Sequence, residues 1–202
     1  MQLFRRSILQ VIVSGALCST LPNLAFAQTQ KLASEYDVIV IGSGFAGLAA
    51  AISAAENGAK VAVLEKMQVA GGNSSRSGGM MAIPGSSVQK EQGIEDSPAK
   101  LVADMKRIGL GLGDPEHIKV VTEHAAPTFE WTKKQGVVWR TDLTGKGGHS
   151  ARRCLITEEG TGQGILIPFM KKLKELGVPV FTGMKVIRLD KNKDGRVIGV
   201  TA

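Results

Sequence analysis

The sequence predicts an α/β fold in which helices pack on a parallel sheet. Two short apolar runs rich in β-branched residues, 36–41 and 60–64, flank an alanine-rich segment of good helix propensity at 48–56. That strand–helix–strand order is the unit from which parallel sheets are built. Glycine supplies 25 of the 202 residues, about 12% against a usual share of roughly 7%. The excess gathers in a few loops with no collagen-like period, as expected of backbone that turns tightly or lies close to a ligand. With 43% hydrophobic and 21% charged residues, the chain can bury one medium core, is too short for two large domains, and lacks the composition of a disordered chain.

Residues 1–27 read as a secretory signal peptide, to be set aside from the fold at 28–202. Arg5 and Arg6 supply a basic start, residues 7–21 are mostly apolar, and Ala25-Phe26-Ala27 is an A-x-A cleavage site. The apolar run falls short of the roughly 20 residues a membrane-spanning helix needs, so stable membrane insertion is not expected. The Arg5-Arg6 pair matches a twin-arginine signal only in part, since Phe4 and Gln10 depart from that pattern, and the general secretory route fits better. These features predict a periplasmic protein. Removal of the leader takes the formal charge from +7 to +5, because Arg5 and Arg6 leave, and removes Cys18. Cys154 is then the one remaining thiol, so no internal disulfide is expected. Lys and Arg are scattered and aromatic stacking positions are scarce, which argues against a nucleic-acid partner.

The first strand runs directly into Gly42-Ser-Gly44-Phe-Ala-Gly47, the helix follows and is stopped by Gly58, and the second strand ends at Glu65. Strand, G-x-G-x-x-G, helix, strand and acid form the order of a dinucleotide site. Gly42 lets the chain turn, Gly44 lets backbone approach a pyrophosphate, and Gly47 lets the helix pack on the strand. The helix N-terminus offers unpaired N–H groups and the positive end of its dipole to phosphates. Glu65, 18 residues after Gly47, is placed to accept ribose hydroxyls. Ala51 four residues after Gly47, and Gly58 seven after Ala51, extend the fingerprint.

With that extension the segment resembles the FAD-binding flavoproteins more than nicotinamide dehydrogenases. The next stretch, Lys66-Met-Gln-Val-Ala-Gly71-Gly72-Asn73-Ser74-Ser-Arg-Ser77-Gly78-Gly79-Met80, resembles the "EK…GGNT…GG" segment of the fumarate reductase/succinate dehydrogenase flavoprotein family. It is similar in particular to the soluble, periplasmic flavocytochrome c fumarate reductases and urocanate reductases. The resemblance implies a Rossmann-like FAD-binding domain with a small β-meander towards its C-terminal end. FAD contacts are implied at Gly42, Gly44, Ala46, Gly47, Glu65, Lys66, Gly72, Asn73, Ser74, Gly78 and Gly79, with Gly78 also bordering a substrate pocket. The stretch from Asn73 to Gly78 is one residue shorter than in the flavocytochromes, and Met81 stands where asparagine is common.

Residues 84–96 are polar and turn-rich and read as a loop. Ser97-Pro98 and Asp114-Pro115 each place a capping side chain before a proline, opening helices at about 98–109 and 115–135. His117 and His124 share a helical face and read as a solvated polar face, because zinc would want closer ligands. Gly147-Gly148-His149-Ser150-Ala-Arg152-Arg153, followed by Gly160-Thr161-Gly162-Gln-Gly164, resembles the family's "GG-x-S-x-x-R…TG" segment near the flavin. His149 reads as a structural loop residue, with a general acid–base role the alternative. A helix at 164–176, a strand at 178–181, and a hairpin of 186–189 with 197–200 through Asp194-Gly195 complete the chain. By the resemblance, main chain near Val186 meets the adenine.

No C-x-x-C-H haem motif occurs. A c-type haem electron donor would therefore sit on a separate subunit. The resemblance covers nearly all of 28–202 but only the first part of a family member, and the family's substrate-binding and proton-donating residues come later. No catalytic residue and no metal ligand are assigned. The resemblance implies an incomplete flavin domain of an exported reductase that passes hydride to an α,β-unsaturated carboxylate such as fumarate. The alternatives are an inactive fragment, one completed by a separate substrate-domain polypeptide, or a related flavin dehydrogenase with another substrate.

Overall fold

The computed structural model describes residues 33, 35–145 and 147–202. The signal peptide expected at 1–27 lies outside the described residues. In chain order the elements are β1 (Val38–Ile41), α1 (Phe45–Glu56), β2 (Val61–Leu64), a 3₁₀ turn (Gly72–Arg76), β3 (Met80–Ala82), α2 (Ser87–Glu91), α3 (Pro98–Ile108), α4 (Pro115–Lys134), β4 (Cys154–Ile156), α5 (Gln163–Glu175), β5 (Val180–Phe181), β6 (Arg188–Lys191) and β7 (Val197–Thr201).

β1, β2 and β5 form a parallel sheet with β2 in the middle, in the register Val38↔Val61 and Val63↔Val180. All four β2 residues are buried, as a strand covered on both faces must be. The core joins Leu48, Ala51 and Ile52 of α1 to Val61 and Val63 of β2 and to Ile165, Leu166, Phe169 and Leu173 of α5. Alanines on α1 remove side-chain bulk, and they let α5 lie close against it. The α1 N-terminus is thereby held at the C-terminal end of β1, where ligands of open α/β sheets bind.

Ser97 and Asp114 cap α3 and α4 through their side chains, and both helices carry proline in the first turn, as the sequence predicts. The hairpin also forms, with Leu189 opposite Val200. Residues 84–96 are not wholly loop, however. Ser86 and Gln89 form a reciprocal capping box that opens α2, and Gln89 is fully buried, bonding to Asp96 and to the Arg152 carbonyl. Reading the segment as polar and turn-rich concealed a cap in which each polar atom is satisfied by its neighbour. The antiparallel pair β3–β4, also unforeseen, rests on a second core of Ile83, Val88, Phe129, Leu143 and Leu155.

Arg153, fully buried, anchors the polar side of this second region. Its Nε and Nη2 donate to the two Asp96 carboxylate oxygens at 2.7 and 2.8 Å, and its Nη1 donates to Asp104 Oδ2 at 2.5 Å. Ser150 adds its N–H and hydroxyl to the same Asp104 oxygen. The Arg153 guanidinium and the Ser150 N–H hold the Asp104 carboxyl far below its ordinary range. Burial pushes Asp96 up, but hydrogen bonds from Arg153, Gln89 and the Ser97 N–H outweigh it, and the net shift is also downward. A depressed carboxyl contributes stability that is present above its unfolded value, 3.8 here, and is lost as pH falls through the folded value. Thermal stability is therefore expected to hold at neutral pH and to decline below about pH 4, which a pH series of melting curves would check.

Candidate nucleotide site

Gly42 follows β1 with φ +96, a left-handed turn that glycine adopts without strain. This turn aims the chain into α1 over the end of the sheet. A Cβ on Gly47 would overlap the Gly42 carbonyl oxygen and press on Val40, so the close approach of helix to strand requires glycine there. The first-turn N–H groups of α1 have no intrahelical acceptors. That of Phe45 donates to Ser74 Oγ at 3.1 Å. Those of Ala46 and Gly47 remain at the positive end of the dipole, with no acidic residue in the turn to neutralise it.

Glu65 stands at the end of β2 with only 5% of its surface exposed. Its Oε2 accepts the Ser43 N–H at 2.9 Å and the Ser43 hydroxyl at 2.6 Å, while its Oε1 accepts the Met67 N–H at 2.8 Å. Burial pushes this carboxyl up, but the Ser43 hydroxyl and the Met67 and Ser43 N–H groups, helped by the charge of Lys66, hold it below the usual glutamate range. Glu65 is an ionised acceptor at neutral pH. Three of the roughly four acceptor positions of a carboxylate are filled from within the chain, and the open one is on Oε1.

The glycine-rich segment after β2 closes on the same turn. The Gly71 N–H donates to Ser43 Oγ at 2.9 Å, and the 3₁₀ turn carries Gly72, Asn73 and Ser74 alongside the α1 N-terminus. Gly162, before α5, lies so near the Ser74 carbonyl that a Cβ would overlap it, and its N–H bonds to the Ser77 carbonyl at 2.8 Å. On the far side the Met184 N–H donates to the Glu65 carbonyl at 2.8 Å, which runs the segment containing half-buried Val186 past the end of β2. The Gly42–Gly47 turn, Glu65 and the Gly71–Ser74 segment are thus bonded to one another around the α1 N-terminus, and the chain before Val186 is bonded to the Glu65 carbonyl. Ala46, Lys66 and Gly78 are exposed nearby in the chain. Gly79 is buried, and a Cβ there would overlap the Thr161 carbonyl and Thr157 Oγ1.

The three histidines and the 147–153 segment lie as follows. In the "GG-x-S-x-x-R" segment, Ser150 and Arg153 are occupied with Asp104 and Asp96, and His149 Nδ1 lies 3.0 Å from Arg153 Nη1. Ser150 and Arg153 hold the loop in place, with His149 beside the Arg153 guanidinium. His117 and His124 are both exposed, and no group of three metal-ligating side chains occurs among the described residues. Sequence reading missed Ser43, which is fully buried and bonded to two distant segments. Its signal was a hydroxyl side chain between the first two glycines, where bulk is normally avoided.

The comparisons with known proteins place the chain among FAD-binding proteins. A family profile described as "FAD binding domain" matches residues 37–202. The chain is 38% identical over 183 residues to an acrylate reductase flavoprotein subunit of Shewanella woodyi, covering 89% of this chain and 36% of that protein. It is 40% identical over 175 residues to a urocanate reductase of Eggerthella lenta, covering 86% of this chain and 29% of that one. Among solved structures, the open conformation of a flavocytochrome c3 fumarate reductase superposes with a TM-score of 0.76 at 29% identity, covering 82% of this chain and 29% of the other. The chain spans about a third of the length of the curated relatives it matches.

Proposed function

Because the chain belongs to the family of FAD-binding domains, we propose that it is the flavin-holding part of an exported, fumarate-reductase-type oxidoreductase that saturates the double bond of an α,β-unsaturated carboxylate. The cofactor is FAD. The observation that carries the reading is the convergence of the Gly42–Gly47 turn, the Ser74 segment and ionised Glu65 on the α1 N-terminus. These residues suit the group: Ala46 and Gly47 offer N–H groups to a pyrophosphate, Glu65 offers an acceptor to a ribose hydroxyl, and Gly44 presents no side chain to the phosphates. FAD, when bound, supplies the hydride chemistry. Acrylate, urocanate and fumarate, named in the relatives, are all α,β-unsaturated carboxylates, which supports that substrate class. The basic, apolar leader ending in Ala25-Phe26-Ala27 supports a periplasmic location. No described helix is long and apolar enough to cross a membrane.

A second reading, a flavin-binding fragment completed by a separate polypeptide, is favoured by the edge of β1. Among the described residues β1 pairs only with β2, Ile41 is 53% exposed, and a cleft of about 500 Å³ separates Ile39 and Ile41 from Leu189, Val197 and Val200 of the hairpin. An unpaired apolar edge is a template for another strand. Full-length chain incubated with FAD and desalted is expected to keep a flavin absorbance spectrum. Retention only after a complementary substrate-domain polypeptide is added would select the second reading, and no retention in either case would overturn both.

A further inference from the structure

The stretch from Asn73 to Gly78, where this chain is one residue shorter than the flavocytochromes, opens with the 3₁₀ turn over Gly72–Arg76. Residues three apart eclipse in such a turn. Arg76 therefore lies on the face of Asn73, and both are exposed. Ser74 and Ser75, between them, are half-buried and bonded inward. Ser74 Oγ accepts the Phe45 N–H at 3.1 Å, and Ser75 Oγ donates to the Gly72 carbonyl at 2.8 Å. After Arg76, the Ser77 hydroxyl donates to the Ser74 carbonyl at 2.9 Å, and the Ser77 carbonyl accepts the Gly162 N–H at 2.8 Å. The backbone on both sides of Arg76 is thus tied down, two residues from a serine bonded to the first turn of α1.

The charges around this turn do not balance. Arg107, Arg140, Arg153 and Arg188 are each committed to a carbonyl or a carboxylate. Arg76 has no hydrogen bond and no ion pair among the described residues. Neither α1 nor α5 carries an acid in its first turn. The Glu65 carboxylate is engaged by Ser43 and Met67, and the Glu159 carboxylate stands against Gly164 at the start of α5. A guanidinium without a counter-ion thus adjoins the positive end of a helix dipole, an arrangement that favours an anion.

We propose that Arg76 is the side-chain counter-charge for the diphosphate of FAD, completing a phosphate site that the α1 N–H groups begin. This rests on the FAD reading above. Backbone N–H groups give fixed hydrogen bonds but only partial charge, whereas a guanidinium adds a full charge and a planar fork suited to phosphate oxygens.

The test is FAD binding to full-length chain, followed by fluorescence quenching from about 0.01 M to about 1 M salt, with wild type compared with Arg76→Gln. ADP and adenosine serve as competitors that differ only in the diphosphate. Arg76 is exposed and bonded to nothing in the chain, so the variant should keep the wild-type melting curve. Arg76→Gln is expected to bind FAD and ADP about ten-fold more weakly at low salt, to lose most of that difference at high salt, and to bind adenosine as wild type does. FAD affinity within about two-fold of wild type at low salt would overturn the proposal. Equal weakening of ADP and adenosine would also overturn it, because a displaced loop, not a missing charge, would then be the cause. Wild type that takes up no FAD contradicts the underlying reading and takes the proposal with it. FAD-binding wild type with an unaltered salt dependence in Arg76→Gln contradicts the proposal alone.

Discussion

Gly44→Val is expected to abolish FAD uptake while leaving the fold intact. Gly44 caps α1 with φ −69 and ψ 175, extended backbone that any residue adopts, so valine brings no conformational strain. Among the described residues, its chain neighbours aside, a Cβ there would meet only Ser74 Oγ within 4 Å, at 3.2 Å. That is tight, and Ser74 Oγ must give by a few tenths of an ångström, at the expense of its bond from the Phe45 N–H. The two γ-carbons of valine would stand over the first turn of α1, on the side from which phosphate reaches the Ala46 and Gly47 N–H groups. The chain should therefore fold, with an N-cap cost of a few tenths of a kcal/mol to about 1 kcal/mol, and bind FAD at least about 100-fold more weakly. Circular dichroism and a melting curve check the fold, and FAD fluorescence quenching checks the affinity. Gly47→Ala is the contrasting control. Its Cβ would collide with the Gly42 carbonyl, so it should lower stability itself. If Gly44→Val binds FAD as wild type does, the phosphates do not approach over this glycine.

Arg153→Met is expected to destabilise the protein by about 3–5 kcal/mol, because it leaves the Asp96 and Asp104 carboxylates in place without their shared cation. Methionine fills much of the same volume, so the loss reports the charge more than a cavity. The pH dependence gives the stronger check. In wild type both carboxyls are depressed, and stability is lost as pH falls through their folded values. In Arg153→Met, burial acts on Asp96 with less opposition, and Asp104 keeps only the exposed Arg107 and its Ser150 bonds. Their folded values should rise, so the variant should become more stable relative to wild type as pH is lowered from 7 towards 4. Melting curves that stay parallel over that range would contradict the assignment of Arg153 as the bond between α3 and the 147–153 loop.

The parts of this molecule legible from its sequence are those where short-range chemistry decides the outcome. β1, α1 and β2 follow from β-branched runs, alanine and the glycine turn, and the caps at Ser97 and Asp114 follow from a side chain preceding proline. α1 begins at Phe45, ahead of the alanine-rich 48–56 segment, because the glycine turn itself enters the helix. The bonding within the site was less legible. Glu65 was recognisable as a ribose acceptor, but its capture by Ser43 depends on a strand-to-strand register that spacing does not reveal. The partners of Arg153 lie 57 and 49 residues away in sequence, and no local pattern links them. β3 and β4 are three residues each, too short for alternation to stand out, and their pairing depends on the core beneath.

In the proposed function the α1 N-terminus holds the diphosphate of FAD. Amide NMR of the ¹⁵N-labelled chain during FAD titration tests it directly, residue by residue. The Ala46 and Gly47 amides should shift downfield and become protected from solvent exchange in step with flavin uptake, and ADP should reproduce the effect without the flavin. Flavin uptake with both amides unmoved would place the phosphates elsewhere and contradict the claim.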